Sequence, residues 1–202
     1  SAKGRPIVNL LPLEKGESIS EILPVTEYDD DHFIFMATAN ATVKKVSLSE
    51  FSKPRSNGKI ALQLAEGDRL IAAEITNGDQ DIMLLSSEGK AIRFRETDVR
   101  TMGRTARGVR GMNLQPGQQL VSLIIPKQNC TIFTVTENGY GQRTALSAYR
   151  HIGRGGKGVQ AIQVTPRNGK VVGACQVFDD DEALLISDGG TLVRIAMKEI
   201  SV

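Results

Sequence analysis

The chain has 202 residues, a formal net charge of +2 and 40% hydrophobic residues, so it can bury a core without a disulfide or metal to stabilise it. No apolar run approaches the roughly 20 residues of a membrane span, and the N-terminus has no secretion-signal pattern. We therefore expect a soluble, cytoplasmic protein without membrane contact. Cys130 and Cys175 both lie in apolar runs, which predicts two buried thiols in a reducing compartment.

Two sequence anchors recur with a period of about 50 residues. The first is a glycine that begins a segment ending in apolar–amide–apolar, at Gly4, Gly58, Gly108 and Gly158. The second is a small residue followed four positions later by a base, in the pairs Ala41–Lys45, Gly89–Arg93, Gly139–Arg143 and Gly190–Arg194. Together they predict four repeats, at approximately 1–53, 54–103, 104–153 and 154–202.

The second repeat shows the β pattern in chain order. Alternating or apolar runs typical of strands occupy residues 60–64, 70–75, 82–85 and 91–95, with turn residues between them. Short one-turn helices are expected after the fourth strand, around 49–51 or 147–149. Four short strands in each repeat of about 50 residues predict one all-β domain over residues 1–202, a propeller-like array of four-stranded blades.

The basic residues are concentrated in three windows at the same phase of the repeat. Residues 41–59 carry five bases and one acid, residues 90–110 seven bases and two acids, and residues 143–158 four bases and no acid. Equivalent phases of a circular stack occupy equivalent places, so we expect a discontinuous basic band around one edge. Bases at a regular spacing are what a polyphosphate backbone requires.

The loops into the next repeat, at 54–59, 103–108 and 153–158, combine bases with small residues that let backbone N–H groups approach phosphate oxygens. They contain no set of aromatic residues on which single-stranded bases could stack, so non-specific binding of double-stranded DNA is the better prediction. The bases that we expect to contact DNA are Lys44, Lys45, Arg55, Lys59, Arg93, Arg95, Arg100, Arg104, Arg107, Arg143, Arg150, Arg154, Lys157 and Arg194.

The sequence contains little that could support catalysis. His32 and His151 are the only histidines, and neither has another ligand at metal-binding spacing. The glycine-rich string at 153–158 lacks the Ser or Thr that follows Lys in a nucleotide-binding loop, and it leads into a predicted strand instead of a helix. We expect no catalytic residue, metal or cofactor in this chain.

Five segments of the chain have a recognisable sequence: Gly4-Arg5-Pro6-Ile7-Val8-Asn9-Leu10-Leu11-Pro12-Leu13, Phe35-Met36-Ala37-Thr38-Ala39-Asn40, Gly108-Val109-Arg110-Gly111, Glu137-Asn138-Gly139-Tyr140-Gly141 and Gly190-Thr191-Leu192-Val193-Arg194. These segments resemble the C-terminal domain of the A subunit of bacterial DNA gyrase. The resemblance covers all four repeats. It implies a β-pinwheel, in which neighbouring blades exchange a strand, and DNA wrapped around its rim for negative supercoiling. It further implies the rest of the gyrase A polypeptide and the gyrase B polypeptide as partners in an ATP-dependent type IIA topoisomerase associated with the nucleoid.

The chain departs from that family in two places. The family's Gln-Arg-Arg-Gly-Gly-Lys-Gly motif is absent, and Ile152–Gly158 matches it at five of seven positions, as either a degenerate DNA-contacting copy or a plain turn. Ala41 replaces the glycine of the other repeats, which predicts a different hairpin there. Tyr28, Tyr140 and Tyr149 match no catalytic motif of the family. A decatenating type II topoisomerase domain and a propeller scaffold for protein partners are the alternatives, and whether the ring closes stays open.

Overall fold

The computed structural model describes residue 4 and residues 6–202. In these residues the chain forms five short 3-10 helices, at Ile7–Asn9, Leu48–Phe51, Glu96–Asp98, Leu146–Ala148 and Met197–Glu199. The strands are β1 (Phe33–Thr38), β2 (Thr42–Ser47), β3 (Leu70–Thr76), β4 (Asp81–Ser86), β5 (Lys90–Arg95), β6 (Val109–Arg110), β7 (Leu120–Ile124), β8 (Thr131–Thr136), β9 (Gly141–Ala145), β10 (Val159–Gln160), β11 (Val171–Val177), β12 (Glu182–Ile186) and β13 (Leu192–Ala196). The predicted all-β class is confirmed.

Each repeat contains one antiparallel hairpin: β1–β2, β4–β5, β8–β9 and β12–β13. The second sequence anchor lies at the hairpin turn, where the chain needs a positive φ. Ala41 has φ +64°, close to the +76° of Gly89, and the innermost pair Ala37–Val43 has the same register as Leu85–Ala91. The prediction of a different hairpin at Ala41 is therefore wrong, because the alanine accepts the left-handed conformation that costs glycine little.

Neighbouring blades exchange strands. The first sheet has the order β3-β1-β2-β6 and the second β10-β5-β4-β7, so each takes strands from three successive repeats. The hairpin comes from one repeat, the third strand from the next, and a two-residue outer strand from the repeat after that. This arrangement confirms the β-pinwheel that the resemblance implies.

The remaining two sheets are smaller, with orders β11-β8-β9 and β12-β13. The strand predicted at residues 60–64 does not form, and Ile60 and Leu64 are about half exposed. Outer strands such as β6 and β10 form only where a preceding hairpin offers an edge. β6 and β10 each pair with the hairpin two repeats before their own. For residues 60–64 the described residues contain no such hairpin, so alternating sequence alone does not make a strand there.

The apolar core lies between blades, as expected where faces of stacked sheets are buried against each other. Phe35 and Val43 of the first hairpin pack against Ile82, Leu84 and Phe94 of the second, and all five are fully buried. Burying side chains of this size contributes about 1.5–3 kcal/mol each. The blade order is therefore fixed by contacts between successive hairpins.

The first sequence anchor marks where the chain crosses the hairpin of the preceding blade. Gly108 has φ +95° and Gly158 has φ +75°. A Cβ on Gly108 would lie 2.6 Å from the Val43 carbonyl oxygen, and a Cβ on Gly158 would lie 2.4 Å from the Ala91 carbonyl oxygen. Only glycine combines that conformation with so close an approach. These two glycines direct each basic loop onto the outer edge of the blade before it.

The two cysteines differ in environment. Cys130 is buried between the second and third blades, as predicted. Cys175 is exposed on β11, whose buried residues are its terminal valines, Val171 and Val177. The prediction of a buried thiol at Cys175 is therefore wrong.

Candidate nucleic-acid interface

The three segments that follow the 3-10 helices, residues 52–58, 99–108 and 149–158, are the basic loops. The second and third run along the outer edge of the preceding hairpin. Met102 donates its N–H to the Lys45 carbonyl at 2.8 Å, and Ile152 donates to the Arg93 carbonyl at 2.9 Å. The equivalent bonds place the loops at equivalent positions on successive blades.

Four exposed bases form two pairs in phase on these loops. Arg100 and Arg150 are 50 residues apart, as are Arg107 and Lys157. No hydrogen bond or salt bridge joins their side chains to any described residue, so their charges face solvent. Arg55, on the first basic loop, is also exposed. Arg110 was missed among the predicted contacts, although it belongs to the same charged window, and it is exposed beside Arg107.

The base of the second sequence anchor has a different environment. Arg93 donates from Nε and Nη2 to an Asp81 carboxylate oxygen at 2.9 and 2.6 Å. Its Nη1 donates to the carbonyls of Leu146 and Tyr149 at 3.1 and 2.9 Å. These carbonyls belong to the 3-10 helix and the following turn of the next blade. Arg93 therefore links two blades, and its donors are already occupied.

Arg143 repeats this arrangement one blade further along. It is 4% exposed, its Nε donates to Thr131 Oγ1 at 2.8 Å, and its Nη1 donates to the Met197 carbonyl at 3.0 Å. Its Nη2 pairs with Asp179. A buried guanidinium with these partners cannot reach a phosphate while the blades stay together.

Lys45 occupies the anchor position of the first hairpin and is 5% exposed. Its Nζ donates to the Glu96 carbonyl at 3.4 Å, lies 4.0 Å from the Glu96 carboxylate, and stands over the Phe33 ring. The fourth anchor base, Arg194, is exposed and pairs with both carboxylate oxygens of Glu182 at 2.7 Å. In the first three repeats the base of the second anchor thus bonds the next blade, whereas Arg194 pairs only within its own exposed hairpin.

Lys44 is fully buried. Its Nζ donates to the carbonyls of Ala61 and Arg104 at 2.9 and 2.5 Å. Burial, followed by the nearby charge of Arg104, lowers the pKa of its ammonium below the usual range. Lys44 joins the first blade to the loops around it and cannot contact DNA in this fold.

Three further predicted contacts are partly engaged. Arg104 Nη1 donates to the Ile60 carbonyl at 3.2 Å, and Lys59 Nζ donates to the Glu50 carbonyl at 3.0 Å. Arg154 donates to the carbonyls of Asp98 and Arg110, which flank the preceding basic loop. Of the fourteen predicted bases, those left exposed with little or no partner are Arg55, Arg95, Arg100, Arg107, Arg150 and Lys157.

Asp81 lies at the centre of the contact between the second and third blades. Besides Arg93 it accepts a hydrogen bond from His151 Nε2 at 2.8 Å, and Arg95 Nη1 lies 3.8 Å away. Burial alone would raise the pKa of the Asp81 carboxyl, but the hydrogen bonds from His151 and Arg93 outweigh it and lower the pKa. His151, considered above as a metal ligand, is a hydrogen-bonding residue between blades.

Within residue 4 and residues 6–202, no group of three or more His, Cys, Asp or Glu side chains is placed to hold a metal ion. Across the same residues, no helix has the length and apolar character of a membrane span.

The described residues thus form a strand-exchanged, propeller-like domain with basic loops on its outer edge. A family described as the DNA gyrase C-terminal domain, beta-propeller, matches residues 32–77, 80–127 and 131–174. The chain therefore belongs to the DNA gyrase C-terminal domain family.

Individual relatives agree with this assignment. The DNA gyrase A polypeptide of Escherichia coli (strain K12) is 53% identical over 201 residues, covering 100% of this chain and 23% of that protein. A solved DNA gyrase A C-terminal domain is 31% identical with a TM-score of 0.85, covering 98% of this chain and 67% of that one. The C-terminal domain of DNA topoisomerase IV has a TM-score of 0.90 at 25% identity, covering 98% of this chain and 62% of that one. The chain spans less than a quarter of the curated relative's length.

Proposed function

We propose that this domain binds double-stranded DNA without sequence specificity along its outer edge and bends it for negative supercoiling by a DNA gyrase. One observation carries the proposal: exposed bases recur in phase on successive blades, as Arg100 with Arg150 and Arg107 with Lys157. Bases of this kind neutralise phosphates and position a duplex without reading its sequence.

A curved edge can offset the free-energy cost of bending DNA. Curving about 20–30 bp through 40–90° costs on the order of 1–6 kcal/mol. A single basic patch contacts the duplex at one place and leaves it straight. Contacts on two or more successive blades can offset that cost, because each further contact requires the DNA to follow the edge.

The larger assembly follows from the family. The rest of the gyrase A polypeptide, the gyrase B polypeptide and ATP would supply DNA cleavage and strand passage, and this domain would present a bent DNA segment to them. The nucleoid is the corresponding location. In this proposal, residues of this chain bind DNA and carry out no chemical step.

A salt titration with a duplex of about 30 bp tests binding. About six phosphate contacts predict a slope near −5 in a plot of log affinity against log salt. The double variant Arg107→Glu, Lys157→Glu should lower both the affinity and the slope. The matched control is Arg69→Glu, Lys127→Glu, which makes the same charge change at exposed bases outside the basic loops. Equal losses in the two double variants would defeat the proposed location.

The topoisomerase IV-type alternative is favoured by the TM-score of 0.90 to that domain. Ligating a nicked plasmid with the domain bound separates the two alternatives, because wrapping of one hand traps a change in linking number. A shift that grows with protein concentration supports gyrase-type wrapping. Binding without a shift supports the decatenating alternative, and absence of binding supports a scaffold for protein partners.

A further inference from the structure

Arg104 and Arg154 make equivalent contacts with the residues that flank the basic loop preceding their own. They are 50 residues apart, and each donates from Nη1 to a backbone carbonyl: Arg104 to Ile60 at 3.2 Å and Arg154 to Arg110 at 3.1 Å. These acceptors are also 50 residues apart. The repeated geometry indicates a recurring link between successive loops.

A second contact accompanies the first at each arginine. Arg154 Nε donates to the Asp98 carbonyl at 3.0 Å, and Arg104 Nε lies 3.8 Å from the Glu50 carboxylate. Both second partners come from the 3-10 helix that leads into the preceding loop. Each guanidinium therefore spans the two ends of that loop, a reach for which the planar fork of arginine is suited.

Backbone hydrogen bonds join the same loops around Arg154. Gly155 donates its N–H to the Gly111 carbonyl at 2.7 Å, and Asn113 donates to the Gly156 carbonyl at 2.8 Å. Gly155 adopts φ +83°, which lets its amide face the neighbouring loop. The segment 152–158 is therefore a structured connection between blades instead of a free turn.

Bases on one loop thus divide into two kinds. Arg104 and Arg154 direct their donors toward the protein, whereas Arg107 and Lys157, three residues later, are exposed and have no partner among the described residues. The first kind fixes where a loop lies, and the second presents charge at that place.

We propose that Arg104 and Arg154 are positioning residues that hold successive basic loops at a fixed spacing, so that the protein sets the curvature of bound DNA before DNA arrives. This inference rests on the proposed DNA-binding function and adds a mechanism to it. Binding to a preformed edge avoids the entropy cost of ordering the loops on association. Arg154 is also one of the residues of 152–158 that match the family motif. In this proposal, its role within that motif is to hold the loop in place.

Arg154→Lys is the decisive variant because it keeps the charge but replaces the planar fork, whose Nε and Nη1 reach the two carbonyls separately, with a single ammonium group. Without DNA, hydrogen exchange should become faster at the amides of Gly155 and Asn113. With DNA, the salt slope should stay at its wild-type value, while the bend angle, measured by energy transfer between dyes on the duplex ends, should fall.

Lys157→Gln is the matched control on the same loop. It should reduce the salt slope by about 1, as expected for one lost phosphate contact, and leave the loop amides and the bend per bound complex unchanged. Thermal unfolding shows whether Arg154→Lys is folded. If it is not, Arg104→Lys on the preceding loop is the second variant.

The outcomes separate this inference from the proposed function. A reduced salt slope in Arg154→Lys with an unchanged bend would make Arg154 a phosphate contact and overturn the positioning role. Unchanged amide exchange would overturn it as well. Failure of the wild-type chain to bend DNA would defeat the proposed function, and amide exchange without DNA would still decide whether Arg154 holds the loop.

Discussion

Arg93→Met is the substitution that best separates structural bases from DNA-binding ones. The sequence predicts Arg93 as a DNA contact, whereas the structure gives its guanidinium four hydrogen bonds to Asp81, Leu146 and Tyr149. Methionine keeps much of the side-chain volume and loses every donor. The change therefore removes the polar link between the second and third blades while the apolar packing is largely preserved.

The expected cost follows from the groups left behind. Removing one partner of a buried ion pair costs about 3–5 kcal/mol, and two carbonyls lose a charged donor as well. Asp81 keeps His151 and Arg95, and the Arg93 and Asp81 side chains are still 15% and 14% exposed, so we expect the lower end, about 3 kcal/mol. For a chain of this size that corresponds to a melting temperature lower by about 6–12 °C.

Arg95→Met is the matched control. It lies on the same strand, but its side chain is 57% exposed and its nearest carboxylate oxygen, on Asp81, is 3.8 Å away. An exposed pair of this kind contributes about 0–1 kcal/mol. Thermal and urea unfolding of both variants give the comparison, with duplex binding measured where both are folded. A loss below about 1 kcal/mol in Arg93→Met, together with a reduced salt slope, would refute the structural role.

Three further predictions concern Asp81, the crossing glycine Gly158 and the last hairpin. Because the pKa of Asp81 is lowered on folding, the unfolded chain binds more protons below about pH 4. The stability from Asp81 is thus complete above that pH and lost as the pH falls through the folded pKa, and acid titration of Asp81→Asn should show a smaller loss. Gly158→Ala should destabilise by more than about 2 kcal/mol, because its Cβ would lie 2.4 Å from the Ala91 carbonyl oxygen. The control Gly190→Ala meets open space and should cost only the strain of its left-handed φ, about 1–2 kcal/mol, as chemical denaturation can measure. Amides of β12 should exchange faster than those of β4, since β12 pairs with one strand and β4 with two. Equal exchange, followed by mass spectrometry, would contradict this.

The period of the sequence predicts much of the fold because each repeat forms one hairpin with its own turn. The runs at 70–75, 82–85 and 91–95 are strands, and the one-turn helices form near the expected positions. The strand predicted at 60–64 does not form because a strand needs a pairing partner that is distant in the sequence. Local alternation of apolar and polar residues does not encode that partner. The exchange of strands between blades is implied only by the family resemblance, since a period shows that units repeat and not which units pair.

The sequence indicates the general place of the candidate site but does not separate its members from structural bases. Arg93, Arg143 and Arg107 recur with the same period, yet only Arg107 faces solvent. The acceptors of the first two include backbone carbonyls, which no side-chain pattern reveals. Periodicity therefore identifies equivalent positions in the repeats. It does not distinguish a base that links two blades from a base that contacts a ligand, because both kinds recur once in each repeat.

The local surroundings of a base separate structural bases from exposed ones better than its position in the repeat does. The anchor bases Lys45, Arg93 and Arg143, whose donors reach the next blade, stand within strands, where the pleat directs alternate side chains to opposite faces. Arg107 and Lys157 stand directly before Gly108 and Gly158, which cross the preceding hairpin at positive φ. The backbone of each of these glycines packs closely against the hairpin, and the base before it is exposed. By this reasoning we expect the base before each crossing glycine to be free to meet a phosphate, whereas the strand bases Lys45, Arg93 and Arg143 hold neighbouring blades together.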